Sequence, residues 1–558
     1  MSDKLQSGSP RLRESIARLE RYRQGKRRLD ARLYDEAMWW QSRHETAPAE
    51  GDSRRSGKPV SAWLFNSICN KHADLCDRMP VCTALPREPG DRADAALLSA
   101  VLPVVAARCR LKKTYSDNAW IKLRHGTAVY GVFWNPALEN GIGDIDIRRV
   151  DILNLFWEPG VTDIQDSPHL YLVGLADRAA LESRYPVLAE AVRQGRLDPD
   201  STPADGASLL GSGGSYLLRE RDGCPEKYTV VDWYYRKALP DGRTVLHYAK
   251  YVGDILLYAS ENDPACAERG WYDHGLYPFV PDVLFPEADS PAGYGLIAVG
   301  RNPQGYIDEL DGHILEYANW ASRVRYWAKR SLGINEKEFL DPDRRIIQVE
   351  GDMDEEKLRQ ITLSPMDGML SEVRQMKIEE LKETTGTRDV NQGMSGGVTA
   401  ASAITALQEA GDKSSRDCVS GSYRAYVAVM EQVVELIRQF YTGTRCFRIA
   451  GDGGWKYIRY SNRGLRDRVT GTDAAGNPLR RRPVFDIDVR AERENPLDRA
   501  GRNELMLSLF RAGMFDPDRR AAAALALSDM DFDGIDALRA AVAPAAGATV
   551  APTAGDSE

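Results

Sequence analysis

The spacing of hydrophobic positions changes once along the first 300 residues of the chain. Residues 11–42 and 61–126 show the three- and four-residue spacing of amphipathic helices, with interruptions near Pro80 and at 86–90. From Tyr130 hydrophobic and polar positions alternate, and β-branched and aromatic residues are frequent, which predicts strands. Further strands are predicted at 170–174, 227–237 and 244–258. The sequence up to about residue 300 therefore predicts a mixed α/β body.

A regular heptad seam predicts one long helix over 303–330, about 40 Å in length at about 1.5 Å per residue. The seam consists of Ile307, Leu310, Ile314, Tyr317, Ala321 and Val324. A short insert with a strand-like pattern follows at 334–363. A second helix is predicted at 365–384, and one of its faces carries Met366, Leu370, Val373 and Met376. Helix, small strand module and helix together predict a stalk with a tip.

The remaining sequence begins with a polar, Gly-rich segment at 385–398. A long helix is predicted from Thr399, a suitable N-cap residue, to Tyr441, with a kink or break at Gly411. Strands are then predicted at 445–450, 456–460 and 484–491, followed by a helical region at 497–543. The final residues have the composition of a disordered tail.

Composition limits the possible functions. The 558 residues include 74 Lys and Arg against 82 Asp and Glu, a net charge of −8, which excludes a protein that coats nucleic acid through its basicity. The stretch 11–32 is nonetheless basic. It indicates either a solvated amphipathic helix or an arm that binds nucleic acid or an acidic partner. No apolar run is long enough to span a bilayer, and the N-terminus lacks a secretory pattern. The eight scattered cysteines predict reduced thiols in the cytoplasm.

Three motifs look catalytic or metal-binding, and each lacks an essential part. The segment 393–397 matches G-x-S-x-G, but no strand precedes Ser395 and no His follows it. The segment 529–534 matches half of a calcium loop, but its twelfth position is Ala540 rather than Glu. Asp144 and Asp146 form a D-x-D pair without a third carboxylate in a suitable context. The neighbouring Cys69, His72, Cys76 and Cys82 fit no zinc spacing, so we expect no catalytic residue, metal or cofactor.

The order of these elements resembles that of the portal proteins of tailed bacteriophages. The resemblance covers about residues 30–515 and depends on the order of its motifs. Its most specific stretch runs from Asn391-Gln392-Gly393 through Ser395-Gly396-Gly397 into 401–411. The other similar segments are 34–40, 126–134, 144–159, 162–166, 277–281 with Pro291, Gly293, Tyr294, Gly295 and Gln304, and 491–493 to 503–505.

The resemblance implies an α+β portal-protein fold with a mixed α/β wing, two long stem helices, a small α/β clip, a long kinked helix and a helical C-terminal end. The implied domains are the wing (1–302 and 442–496), stem helix 1 (303–331), the clip (332–364), stem helix 2 (365–388), the tunnel loop (389–398), the kinked helix (399–441), a short crown-like region (497–543) and a disordered tail (544–558). The resemblance also implies a ring, usually of twelve copies, at one capsid vertex of the virion and assembled in the host cytoplasm. The implied partners are double-stranded DNA in the channel, the large terminase subunit, the head-tail adaptor, and the major capsid and scaffolding proteins, with no membrane.

Two sets of residues would line the DNA channel according to this resemblance. The tunnel loop would contribute Arg388, Asp389, Val390, Asn391, Gln392, Gly393, Met394, Ser395, Gly396 and Gly397, and the stem would contribute Arg323, Arg325, Lys329 and Arg330. The seams of the two stem helices would pack within and between subunits. Gly-rich backbone moves at little steric cost, and net acidity would keep DNA from binding during transport.

Two other classes of protein stay open. One is a different ring-forming or scaffold protein of a phage particle. The other is an enzyme that acts on nucleic acid through Asp144 and Asp146.

Overall fold

The computed structural model describes residues 4–44, 60–195, 227–322, 325–328, 358–361, 366, 368–386, 413–451, 454–472, 478–493, 508, 511 and 513. The chain divides into a large compact unit, Met1–Cys76 with Pro80–Arg490, and a small one, Asp77–Met79 with Ala491–Glu558. The second unit lies mostly outside the described residues.

Helices and strands come in separate runs along the described chain, which is consistent with the predicted α+β class. The helices are α1 Pro10–His44, α2 Trp63–Asp77, α3 Arg92–Arg108, α4 Leu111–His125, α5 Arg178–Arg184, α6 Pro186–Arg193, α7 Leu296–Ser322, α8 Met369–Thr385 and α9 Lys413–Phe440. The strands are β1 Arg78–Pro86, β2 Thr127–Asn135, β3 Asp144–Val150, β4 Leu155–Phe156, β5 His169–Asp177, β6 Lys227–Ala238, β7 Thr244–Val252, β8 Ile255–Ala259, β9 Phe279–Val283, β10 Phe285–Pro286, β11 Gly293–Tyr294, β12 Arg325–Ala328, β13 Leu358–Ile361, β14 Arg445–Gly451, β15 Gly454–Tyr460, β16 Arg468–Thr472, β17 Pro478–Arg481 and β18 Phe485–Arg493.

A five-stranded antiparallel sheet, ordered β4-β5-β6-β7-β8, forms the first core. Along each strand of this sheet, successive side chains point to opposite faces. On β6, Val231, Trp233 and Tyr235 pack against α1, whereas Tyr228 and Val230 pack against α5 and α6. The sheet is therefore covered by helices on both faces.

Helix α1 is held on this sheet by ionic contacts as well as by apolar packing. Glu261 accepts hydrogen bonds from Arg11 (Nη1–Oε1 2.9 Å), Lys237 and Tyr235 (Oη–Oε2 2.5 Å). Burial alone would raise the pKa of Glu261, but these three donors outweigh it and hold the pKa at about 2. The carboxylate thus stays ionised at neutral pH and ties the N-terminal turn of α1 to β6.

A second sheet, ordered β3-β2-β9, packs against α4 and α9. The fully buried side chain of Lys122, on α4, connects this sheet to the two helices. The Lys122 Nζ atom donates to Asp282 Oδ1 (2.6 Å), Ser422 Oγ (2.8 Å) and the Cys418 carbonyl (3.2 Å). Ser422 in turn donates to Asp282 Oδ2 (2.9 Å). All three ammonium hydrogens are therefore used, and α4, β9 and α9 are joined at one point.

Two predicted elements differ from the structure. The region 61–126 is not helical throughout, because Arg78–Pro86 forms a strand that pairs with β18, about 400 residues away in sequence. The stem helix predicted at 303–331 instead begins at Leu296, contains Pro303 in its interior and ends at Ser322. Arg325–Ala328 is then a strand, paired with Leu358–Ile361. Strand pairing with a distant segment overrides the local helical period in both places.

Helix α8 and the strands near the C-terminus agree with their predicted positions within a few residues. The hairpin of β16 and β17 was not predicted. The predicted helical start at Thr399, most of the insert at 334–363, the region 497–543 and the tail lie outside the described residues.

We expect Lys122→Met to destabilise the protein by about 3–5 kcal/mol, because it leaves the Asp282 carboxylate buried without a counter-charge. The urea midpoint of unfolding, followed by circular dichroism, measures the loss. Lys113→Met, at an exposed position of the same helix, is the control and should change stability by no more than about 0.5 kcal/mol. A Lys122→Met variant as stable as this control would contradict the role of Lys122.

Candidate functional site

The backbone just before α7 crosses the C-terminal end of α4 at very short distance. Gly126 ends α4 with a φ of 89°, and a Cβ atom there would collide with the backbone of Tyr294. A Cβ atom at Gly295 would collide in the same way with the carbonyl of Arg124. Glycine at these positions therefore has a steric cause. The crossing brings together two of the segments that carry the family resemblance and fixes where α7 begins.

Two side chains of α7 satisfy the N-terminus of α2. The Gln304 Oε1 atom accepts from the Leu64 amide (3.0 Å), one of the first-turn amides that lack a partner inside the helix. The side-chain nitrogen of Gln304 donates to the Ser61 carbonyl (2.9 Å) and to Asp308 Oδ1 (3.0 Å). Asp308 also accepts from the Ser61 amide (3.0 Å) and pairs with Arg43. A carboxylate near a helix N-terminus is favourable, so this network sets the position of α7 on α2.

Helices α7 and α8 pack against each other, and Ile307 is the one residue of their buried cluster that belongs to the predicted seam. Ile307, Ile378 and Leu381 form a small buried cluster at the end of the pair nearest α2. Farther along, Arg374 of α8 pairs with Asp311 of α7 (Nη2–Oδ2 3.4 Å). We refer to α7 and α8 together as the helix pair.

The predicted seam residues differ in burial along the helix pair. Ile307 is buried, and Leu310, Ile314, Tyr317, Met366, Leu370 and Val373 are half-buried. Ala321 and Met376 are exposed, and Val324 lies outside the described residues. Along α7 the seam is therefore buried near α2 and more open away from it, whereas on α8 the exposed Met376 lies nearer to α2 than the half-buried Leu370.

Five large apolar side chains of the helix pair are exposed to solvent. They are Tyr306, Leu315, Trp320, Met369 and Met376, each 47% to 59% exposed. Leu315 and Trp320 were not predicted because both lie off the heptad seam: Leu315 follows Ile314 and is turned about 100° around the helix from it. In the sequence, the one signal that these two residues form part of a surface was their apolar character. A cluster of exposed apolar side chains indicates an interaction surface.

The residues predicted to line a channel lie largely outside the described residues. This applies to Arg323, Lys329, Arg330 and the segment 388–397. Arg325 lies on strand β12 and not on a helix. The structure therefore brings none of the predicted channel residues together in the part of the chain that it describes.

The two ends of the segment 387–412 are nevertheless fixed by described residues. Before it, the Thr385 hydroxyl lies 3.2 Å from the Ser67 hydroxyl of α2. After it, Ser415 accepts from Lys71 (Nζ–Oγ 2.8 Å) and donates to Asp74 (2.7 Å). Ser67 and Lys71 are one helical turn apart on the same face of α2. The segment thus leaves and rejoins the body at adjacent points of one helix.

The helix pair is acidic in its described part. Helix α7 has four acidic residues and one basic residue, and α8 has four acidic and three basic residues. Two of the acids, Asp308 and Asp311, are neutralised by the arginines described above, whereas Glu309 and Glu316 are exposed. Phosphate groups are not attracted to such a surface.

The D-x-D motif has a structural role at its first carboxylate. Asp144 is buried and accepts from the Tyr441 hydroxyl (2.5 Å) and from the Ile145 amide (2.9 Å). Arg445 and Arg108 lie 3.6 Å and 3.9 Å from its carboxylate. Two guanidinium groups occupy the space that a divalent cation would need, so this carboxylate joins β3 to the end of α9.

A cysteine and a histidine side chain of α2 lie close to each other. Cys76 Sγ lies 3.5 Å from His72 Nε2, and burial raises the pKa of this thiol. Within the described ranges, no three His, Cys, Asp or Glu side chains are grouped as a metal site requires. Ser395 and the segment 529–534 are not among the described residues. No described helix combines the length and apolar character needed to cross a membrane.

The described fold is thus that of an α+β protein whose paired helices leave apolar side chains uncovered. The family model of the phage P22-like portal proteins matches residues 324–558. This match supports the relationship to phage portal proteins that the order of the motifs indicates. No curated protein is significantly similar to the chain.

We expect Gln304→Met to lower the free energy of unfolding by about 1–3 kcal/mol, because the Leu64 amide and the Ser61 carbonyl lose their partner in a buried place. Thermal or urea unfolding of the full chain measures the loss. Gln375→Met, on an exposed face of α8, is the matched control and should be nearly neutral. Equal stability of the two variants would show that the Gln304 network does not hold α7 on α2.

Proposed function

We propose that the chain forms the portal ring of a tailed phage, with the helix pair as its stem. The observation that carries this proposal is the uncovered apolar surface of the helix pair, taken together with the family match. In the described part of a single chain, the buried apolar cluster between the two helices consists of Ile307, Ile378 and Leu381, at one end of the pair. Neighbouring copies in a closed ring would cover Leu315, Trp320 and Met376, since each copy presents the same side chains by symmetry.

The ring would surround a channel through which DNA is packaged and ejected. The segment 388–397 would be the tunnel loop that contacts the passing DNA. Its flanking contacts at Ser67 and Lys71 support this role, because a loop fixed at two adjacent points can move without displacing the body. The acidic helix pair supports sliding rather than retention, since phosphate binding strengthens with each cationic contact.

The remaining parts would serve assembly of the virion. The segment 332–364 would be the clip that docks first the terminase motor and then the head-tail adaptor, and the wing would meet the capsid and scaffolding proteins. In this proposal the protein has a structural role and performs no catalysis.

We expect the full chain to form rings with a central hole in negative-stain images and to sediment as a large oligomer. The double variant Leu315→Glu/Trp320→Glu should remain monomeric or nearly so, because each interface between copies would bury two unpaired charges. Val187→Glu, at an exposed apolar position of α6, is the control and should leave the ring intact. Rings formed equally well by the double variant would exclude these side chains from the interface, and a compact wild-type monomer would overturn the proposal.

We expect deletion of 391–397 to leave the ring intact and to impair DNA packaging or retention, because the segment would contact DNA but not the neighbouring copy. Ring assembly is measured by imaging, and packaging by the amount of nuclease-protected DNA in assembled capsids. Normal packaging and retention with the deleted chain would refute the role of this segment in the channel.

A further inference from the structure

Positive charge is concentrated in one short part of the chain. Residues 445–482 contain ten basic and three acidic residues, a net charge of +7 in a chain whose total is −8. Nine of the ten basic residues are arginines. This part forms the hairpins β14–β15 and β16–β17, joined by a turn at Asn462–Leu465.

The inner side of the second hairpin is neutralised by carboxylates near the start of α3. Arg481 binds Glu88 (Nε–Oε1 2.7 Å) and Asp91, and Arg468 binds Asp94. Asp91 is buried, so these pairs fix the hairpin on the body. The arginines of this side have a structural role and are not available to a partner.

Four other arginines are exposed, and none forms an ion pair with a described residue. They are Arg459, Arg463, Arg466 and Arg480, here called the outer arginine cluster. Arg463 lies four residues after Arg459 and three before Arg466. Arg480 pairs across the hairpin with Val469, itself three residues after Arg466 and 64% exposed. The cluster therefore extends along the chain from the first hairpin, through the turn at Asn462–Leu465, to the second hairpin.

An exposed aromatic ring lies beside this path. Tyr457 is 70% exposed, and it lies two residues before Arg459 on the outer face of β15. The opposite face of this hairpin carries the buried Phe447 and Tyr460. The outer face thus combines arginines with a tyrosine hydroxyl, both of which donate hydrogen bonds to phosphate oxygens.

We propose that the outer arginine cluster binds the phosphate backbone of double-stranded DNA on the body of the protein, separately from the channel. Guanidinium groups bind phosphate in a planar, two-bond geometry, and four of them without an acidic partner among the described residues form a strong electrostatic footprint. Asp467 is the single exposed acid within the described part of this path. The inference goes beyond the proposed portal function, because it requires neither a ring nor a channel.

A nucleic-acid backbone fits this surface better than an acidic protein does. Protein interfaces have a core that is depleted of charged residues and enriched in apolar contacts. Interfaces with DNA are much more positively charged, and a two-stranded ribbon is one of the elements that bind it. The cluster, with its charges spread along two hairpins, matches the second description.

The test uses the full chain and a small covalently closed DNA circle, which cannot be threaded through a ring. Binding is measured by fluorescence anisotropy over a salt titration. We expect the variant with Arg459, Arg463, Arg466 and Arg480 changed to Gln to bind the circle at least tenfold more weakly. Its salt dependence, the slope of log K against log salt, should decrease by about 3 to 4, since each phosphate contact contributes about 0.9.

The matched control changes Arg13, Arg21, Arg27 and Arg28 of α1, four exposed arginines, to Gln. It alters the net charge equally and should keep nearly the wild-type affinity and slope. Equal binding by the cluster variant and the wild type would overturn the proposal, as would equal losses in both variants. Poly-glutamate binding that depends on the cluster while the DNA circle does not bind would assign the surface to an acidic protein instead. Rings in negative stain are expected in every case, so failure here leaves the portal function untouched.

Discussion

The buried ammonium group of Lys122 is the constraint on which the rest of the described body depends. Burying a charge is costly unless every hydrogen finds an acceptor, and here the acceptors come from β9 and α9. Lys122, Asp282 and Ser422 are each more than 130 residues apart in sequence. Only the arrangement in which α4, β9 and α9 meet satisfies all of them. This one polar contact therefore specifies how three distant parts of the chain come together.

The position of the helix pair follows from that arrangement. Strand β9 ends at Val283, and α7 begins at Leu296 after a close crossing with the end of α4. Helix α2 then receives three connections: Gln304 at its first turn, Thr385 at Ser67, and Ser415 at Lys71 and Asp74. It measures about 22 Å in length, so the start of α7 and both ends of 387–412 are held within that span. A stem and a loop that must keep their relative position in every copy of a ring need such a common support.

Local periodicity was sufficient to predict most helices and strands of the body, and the order of its motifs pointed to the family. It was not sufficient where a distant partner decides the structure. Residues 78–86 have a helical neighbourhood but pair with β18, and Arg325–Ala328 continue a heptad but pair with β13. The site was less predictable still. Gln304 and Leu64 are 240 residues apart, and a serine such as Ser67 carries no local signal of the contact that it makes. The exposed Trp320 was not predicted because it lies outside the heptad seam, and the prediction placed the apolar surface of the helix at that seam alone.

The net charge of −8 conceals two surfaces of opposite character. The described helix pair is acidic, whereas residues 445–482 carry +7. A channel that transports DNA has to avoid binding it, because each cationic contact would have to break at every step of translocation. A surface outside the channel is under no such limit, and there the same contacts can persist. In the proposed arrangement, separate placement of the two charges would let one chain hold DNA at one surface and release it at another, which a uniform distribution of the same residues would not allow.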